Sequence, residues 1–131
     1  TRPSAESHLP GHAFDWKAAV GFGGAMAAVL LLSAALHAWL GAPGTLLAAA
    51  LTGFVDAHAT GASMAALVSA GKLTVDAAVV PVLIGLSTNA VTKSVMAWQS
   101  GGAAFAARIV SGQLLMLAAV WGGAVVQSRW L

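Results

Sequence analysis

Four apolar stretches divide the chain, separated by short runs of Gly, Pro and polar residues. The first extends from about Lys17 to Leu40 and ends at Gly41, Ala42, Pro43 and Gly44. The second covers about Thr45 to Ala70, before a polar turn with Lys72 and Asp76. The third runs from about Val75 to Trp98, with Pro81 in its early turns. Ser100, Gly101 and Gly102 break the chain again, and the fourth spans about Ala107 to Trp130. Residues 1–15 are polar, hold Pro3, Pro10, His8 and His12, and read as a lead-in or linker. About 20 apolar residues cross a bilayer as a helix. The pattern therefore predicts helices over 17–40, 45–70, 75–98 and 107–130, within one transmembrane domain over 16–131. The stretches are rich in Ala and Leu and lack the two-residue alternation of a membrane barrel. The expected fold is an all-α membrane protein of about four transmembrane helices, arranged by short loops in two antiparallel hairpins.

Composition strengthens this reading. Hydrophobic residues make up 59% of the 131 and charged residues 8%, against roughly 25% charged in an ordinary soluble domain. A soluble fold this short exposes too much of itself to hide so much apolar surface. Six Lys and Arg against four Asp and Glu are scattered, which suits loops at a membrane and not a nucleic-acid surface. The absence of Cys excludes disulfides and thiolate metal sites. Positive charge beside the ends of the stretches (Arg2, Lys17, Lys72 and Arg129 against Arg108 and Lys93) places both termini in the cytoplasm.

Ionisable groups inside the apolar stretches carry the candidate chemistry. In a helix starting at Thr45, Asp56 lies roughly 16 Å deep at 1.5 Å per residue, near the middle of a core about 30 Å thick. Such a residue normally faces the bundle interior and has a partner. Asn89 and Lys93 are four apart and share a helix face. Asp56 and Asn89 are equidistant from the Lys72 turn, so the spacing predicts an Asp56, Asn89 and Lys93 cluster across one hairpin. Thr60 continues the Asp56 face. Gly53, Ala57 and Gly61 form a small-residue stripe suited to close helix approach in lipid. His58 and Thr92 are secondary candidates, His58 being turned about 200° from Asp56 on a continuous helix. Each feature also has a structural reading: the Asp56 and Lys93 pair as a lock on helix packing, Lys93 as a residue reaching the interface, and Asn89 as interhelical glue. His37, near a helix end, reads as interfacial, and its offset from His58 is poor for a shared haem.

The segment Leu51-Thr52-Gly53-Phe54-Val55-Asp56-Ala57-His58-Ala59-Thr60, with Leu86-Ser87-Thr88-Asn89-Ala90-Val91-Thr92-Lys93 about thirty residues on, resembles a known pattern. It is similar to the C-terminal membrane domain of bacterial MgtC/SapB-like proteins, the domain of unknown function numbered 4010. Gly53, Asp56, His58, Ala59, Asn89, Ala90, Lys93, Gly101 and Gly102 carry the resemblance, over about 14–126. His58 stands where many members carry an acid. The resemblance implies a multi-pass protein of the bacterial inner membrane with a transport role, of which this chain would be the last four helices or a shortened relative.

The expected function is a transport or channel subunit moving a small ion or solute, with proton linkage a natural use of Asp56 facing Lys93. Asp56, Thr60, Asn89 and Lys93 line the path. The alternative is a structural or regulatory membrane subunit whose cluster only locks helix packing. A Mg²⁺ cage is disfavoured, because hard cations take several oxygen ligands and Lys93 repels them. No Ser-His-Asp set, zinc-protease motif or phosphate loop is present, so neither enzymatic activity, a metal nor a cofactor is expected. The expected partners are the lipid bilayer and a second copy or further transmembrane helices, with no nucleic acid.

Overall fold

The computed structural model describes residues 15–130; apart from Asp15, the lead-in lies outside the described residues. Those residues are almost wholly helical, with no strand: α1 (Trp16–Leu40), α2 (Ala42–Val55), α3 (Ala57–Ser69) and α4 (Val75–Trp130). Helices α1 and α4 are long and apolar enough to cross a membrane.

Side chains and glycines at the helix ends set these boundaries. The Asp15 carboxylate accepts from the Lys17 N–H at 2.9 Å and caps α1. The reversal after α1 is tighter than the Gly41 to Gly44 turn suggests: Gly41 alone separates α1 from α2, and Pro43 sits in the first turn of α2. Gly44 lies so close to the Leu36 carbonyl that no Cβ fits between them. His37 is tied into this reversal, its Nδ1 2.7 Å from the Thr45 hydroxyl. Thr45 in turn donates to the Gly41 carbonyl, so His37 supplies the proton. Thr74 caps α4 by accepting from the Ala77 N–H.

The expected single helix over 45–70 does not form. Asp56 adopts extended backbone (φ −158°, ψ 128°) and divides that stretch into α2 and α3. Helix α3 then turns back along α2. Thr60 Oγ1 lies 2.8 Å from Thr52 Oγ1 and 3.4 Å from the Ala49 carbonyl. On one continuous helix, residues 49 and 60 are roughly 16 Å apart. The small core shows the same return: Met64 and Leu67 meet Ala78 of α4 and Ala34 of α1. Helices of 14 and 13 residues measure about 21 and 20 Å, so the α2–α3 hairpin reaches only part of the way along its longer neighbours.

Helix α4 is also two pieces. Gly102 has φ 71° and ψ −176°, a conformation open essentially to glycine alone. The chain reverses there with no longer loop. The Trp121 indole donates to Ser87 Oγ at 3.2 Å, and Ser94 Oγ donates to Gln113 Oε1 at 2.9 Å. These bonds hold the segment after Gly102 alongside the segment before it.

The α2–α3 hairpin lies between α1 and α4, whose Cα atoms nowhere come within 8 Å of one another among the described residues. Asp56 is its tip, roughly halfway along α1 and the first segment of α4. Beyond the tip no described residue covers α1: residues 16–25 are all exposed, whereas Ser33 to His37 are buried or half-buried. Three long segments and one short hairpin place residue 16 and residue 130 at opposite ends of the bundle.

Candidate functional site

The tip of the hairpin is held by a close crossing of glycines and threonines. Gly53 lies against the backbone of Gly85 and the hydroxyl of Thr88, and Gly85 lies against Thr60; a Cβ at either glycine would overlap these groups. Thr52 donates to the Ala48 carbonyl at 2.8 Å, leaving its oxygen to accept from Thr60. Both threonines are buried. Thr92 donates to the Phe54 carbonyl at 3.0 Å, supplying one of the partners that the last carbonyls of a helix lack.

Asp56 caps α3, its Oδ1 accepting from the His58 N–H at 3.0 Å. The same oxygen is 3.0 Å from His58 Nδ1. A carboxylate only accepts, so Nδ1 carries the proton and Nε2 is left free. Asp56 thus pairs with His58 and not with Lys93, which has no carboxylate within 4.0 Å among the described residues. Both differences from expectation share one cause. On a continuous helix residues 56 and 58 diverge, but Asp56 has left the helix and turns its side chain onto the first turn of α3.

A cavity of about 580 Å³ opens beside the tip. The first turns of α3 (Ala57, His58, Gly61, Ala62) form one wall, and Asn89 and Lys93 of α4 form another. Gln113 and Met116, beyond the Gly102 kink, complete it. Among the described residues no carboxylate lines it. Asn89 lines the cavity, is 6% exposed and has no side-chain hydrogen-bond partner among the described residues.

The predicted residues therefore fall into three groups. Asn89, Lys93 and His58 come together around the cavity, with Asp56 behind His58. Thr60 and Gly53 belong to the buried crossing, and Thr92 to the end of α2. Ala57 and Gly61 line the cavity instead of a helix contact; nothing lies within 4 Å of a Cβ at Gly61. Gly85, Thr52 and Gln113 were not among the predicted residues. An isolated glycine within an apolar helical run is the signal that identifies Gly85.

Fold and site define an all-helical protein with two helices long and apolar enough to cross a membrane, and a short helical hairpin broken at an acidic residue. The family described as Domain of unknown function (DUF4010) matches residues 1–101, and the chain belongs to it. The match ends at the Gly102 kink, short of the 126 expected from the motifs, and includes the whole hairpin. No curated protein and no solved structure matches the chain.

Proposed function

We propose that this protein is a non-enzymatic membrane transport or channel subunit that moves a small ion or solute past the hairpin tip. The observation that carries this reading is the break at Asp56 beside the Asn89 and Lys93 cavity. Non-helical backbone at membrane depth persists only where protein buries it or a water-filled cavity receives it. Paired half-helices ending near the midplane are a recurrent way to build transport sites. Large apolar side chains directed outward, such as Leu31, Trp39 and Leu115 at 71, 80 and 74% exposure, fit a lipid-facing surface.

In this reading the bilayer is crossed three times, by α1 and by the two segments of α4 as an antiparallel hairpin, while α2–α3 enters and leaves from one face. The termini then lie on opposite faces. Lys17 and Arg108 fall toward one face, and Lys72 and Arg129 toward the other. The charge count behind two cytoplasmic termini no longer holds. The bacterial inner membrane, the relation to MgtC/SapB-like proteins and a homodimer covering the bare half of α1 belong to the same proposal.

The second reading is a structural or regulatory subunit, favoured by the buried Thr52–Thr60 bond and the Gly53–Gly85 crossing. Ion and proton flux into liposomes carrying wild type, Asp56→Asn and Lys93→Met separates the two. Transport predicts wild-type flux above protein-free liposomes that falls at least tenfold in both variants while helicity is retained. Equal flux in all three, or none in the wild type, favours the structural subunit.

A further inference from the structure

We propose that the cavity beside the hairpin tip binds a small monovalent anion, held by Lys93 and Asn89 against the first turn of α3. This rests on the transport reading and names its substrate class. Among the described residues the cavity is lined by one lysine, Lys93, and no carboxylate. Lys93 offers three donors and no acceptor, and the nearest acid, Asp56, is occupied by His58. Asn89 is the independent observation. The residue is 6% exposed, it lines the cavity, and its amide has no protein partner among the described residues. Its N–H donors are therefore free for a ligand in the cavity. The third wall is the N-terminal turn of a 13-residue helix; Asp56 already holds its His58 N–H, so Lys93 and Asn89 supply the donors for the anion. A cation at the same place meets Lys93 and lacks the oxygen ligands it requires. The volume of about 580 Å³ admits chloride, nitrate or acetate together with water.

The test is the melting temperature of the purified full chain in detergent, titrated with sodium chloride, nitrate or acetate. Ionic strength is held constant with the bulky buffer anion HEPES. A saturable rise is expected in the wild type. It is expected to vanish in Lys93→Met and Lys93→Gln, to persist in Lys93→Arg, and to need at least tenfold more anion in Asn89→Leu. No rise in the wild type, or an undiminished rise in the folded Lys93→Met or Lys93→Gln protein, overturns the anion site. Liposome flux distinguishes this failure from that of the transport reading. Cation flux without an anion-dependent rise removes the anion and keeps transport. An anion-dependent rise without flux keeps the site and removes transport.

Discussion

Gly53 and Gly61 stand eight residues apart in one small-residue stripe, yet their surroundings differ sharply. A methyl group at Gly53 would overlap the Gly85 backbone and the Thr88 hydroxyl, whereas at Gly61 it would meet nothing within 4 Å. Overpacking costs typically about 1–3 kcal/mol, and exchanging Gly for Ala within a helix returns roughly 0.5–1 kcal/mol. At Gly53 the overlap is with backbone, which cannot swing aside, so the cost wins. Gly53→Ala is expected to destabilise the protein by about 1–2 kcal/mol. Gly61→Ala is expected to be neutral or stabilising by up to about 1 kcal/mol. Thermal melting of the two variants in one detergent checks both; equal behaviour would show that the Gly53–Gly85 crossing does not form. Four-residue spacing of small residues identifies the stripe but not which member meets another backbone. That depends on the α4 glycine opposite, Gly85, and on where the helix stops.

At the scale of the element, the hairpin depends on Asp56 as a cap. Replacing a capping Asp with Ala costs typically about 1 kcal/mol. Asp56→Ala is therefore expected to lower stability by about that amount, and Asp56→Ser to recover most of it, because a serine oxygen can still accept from the His58 N–H. Melting curves of the two variants test this, and equal stability would place the cause of the break elsewhere. Helix ends at Gly41, at the Lys72 turn and at Gly102 are legible in the sequence, since glycine and polar residues punctuate the apolar runs there. The break at Asp56 is hidden for a physical reason. Residues 45–70 are apolar on both sides of it and together have the length of a membrane span, so hydropathy describes one long helix. The remaining clue, Asp two residues before His and at the start of a new helical run, has the form of a capping sequence. The pairing of Asp56 with Lys93 followed from the continuous helix and fails with it. Asn89 and Lys93 sit on an unbroken segment, and their shared face needs only the helix period.

For the whole molecule, the proposed reading has the short hairpin change the number of crossings and thereby the relation of every later segment to the first. Four full spans would put both termini together. In the proposed reading, three spans and a re-entrant hairpin separate them and leave half of α1 bare beyond the tip. Composition points to lipid as the solvent, and in the proposed reading the path through it depends on one residue. The direct test uses sided labelling, which suits a chain with no native cysteine. Pro43→Cys and Lys72→Cys are placed singly and treated with a membrane-impermeant maleimide on sealed vesicles of known orientation. If α2–α3 enters and leaves from one face, as proposed, both label from the same side, with Gly101→Cys labelling from the other. Labelling of Pro43→Cys and Lys72→Cys from opposite sides would mean that residues 45–70 cross the membrane outright, and would contradict a transport site at the tip of a re-entrant hairpin.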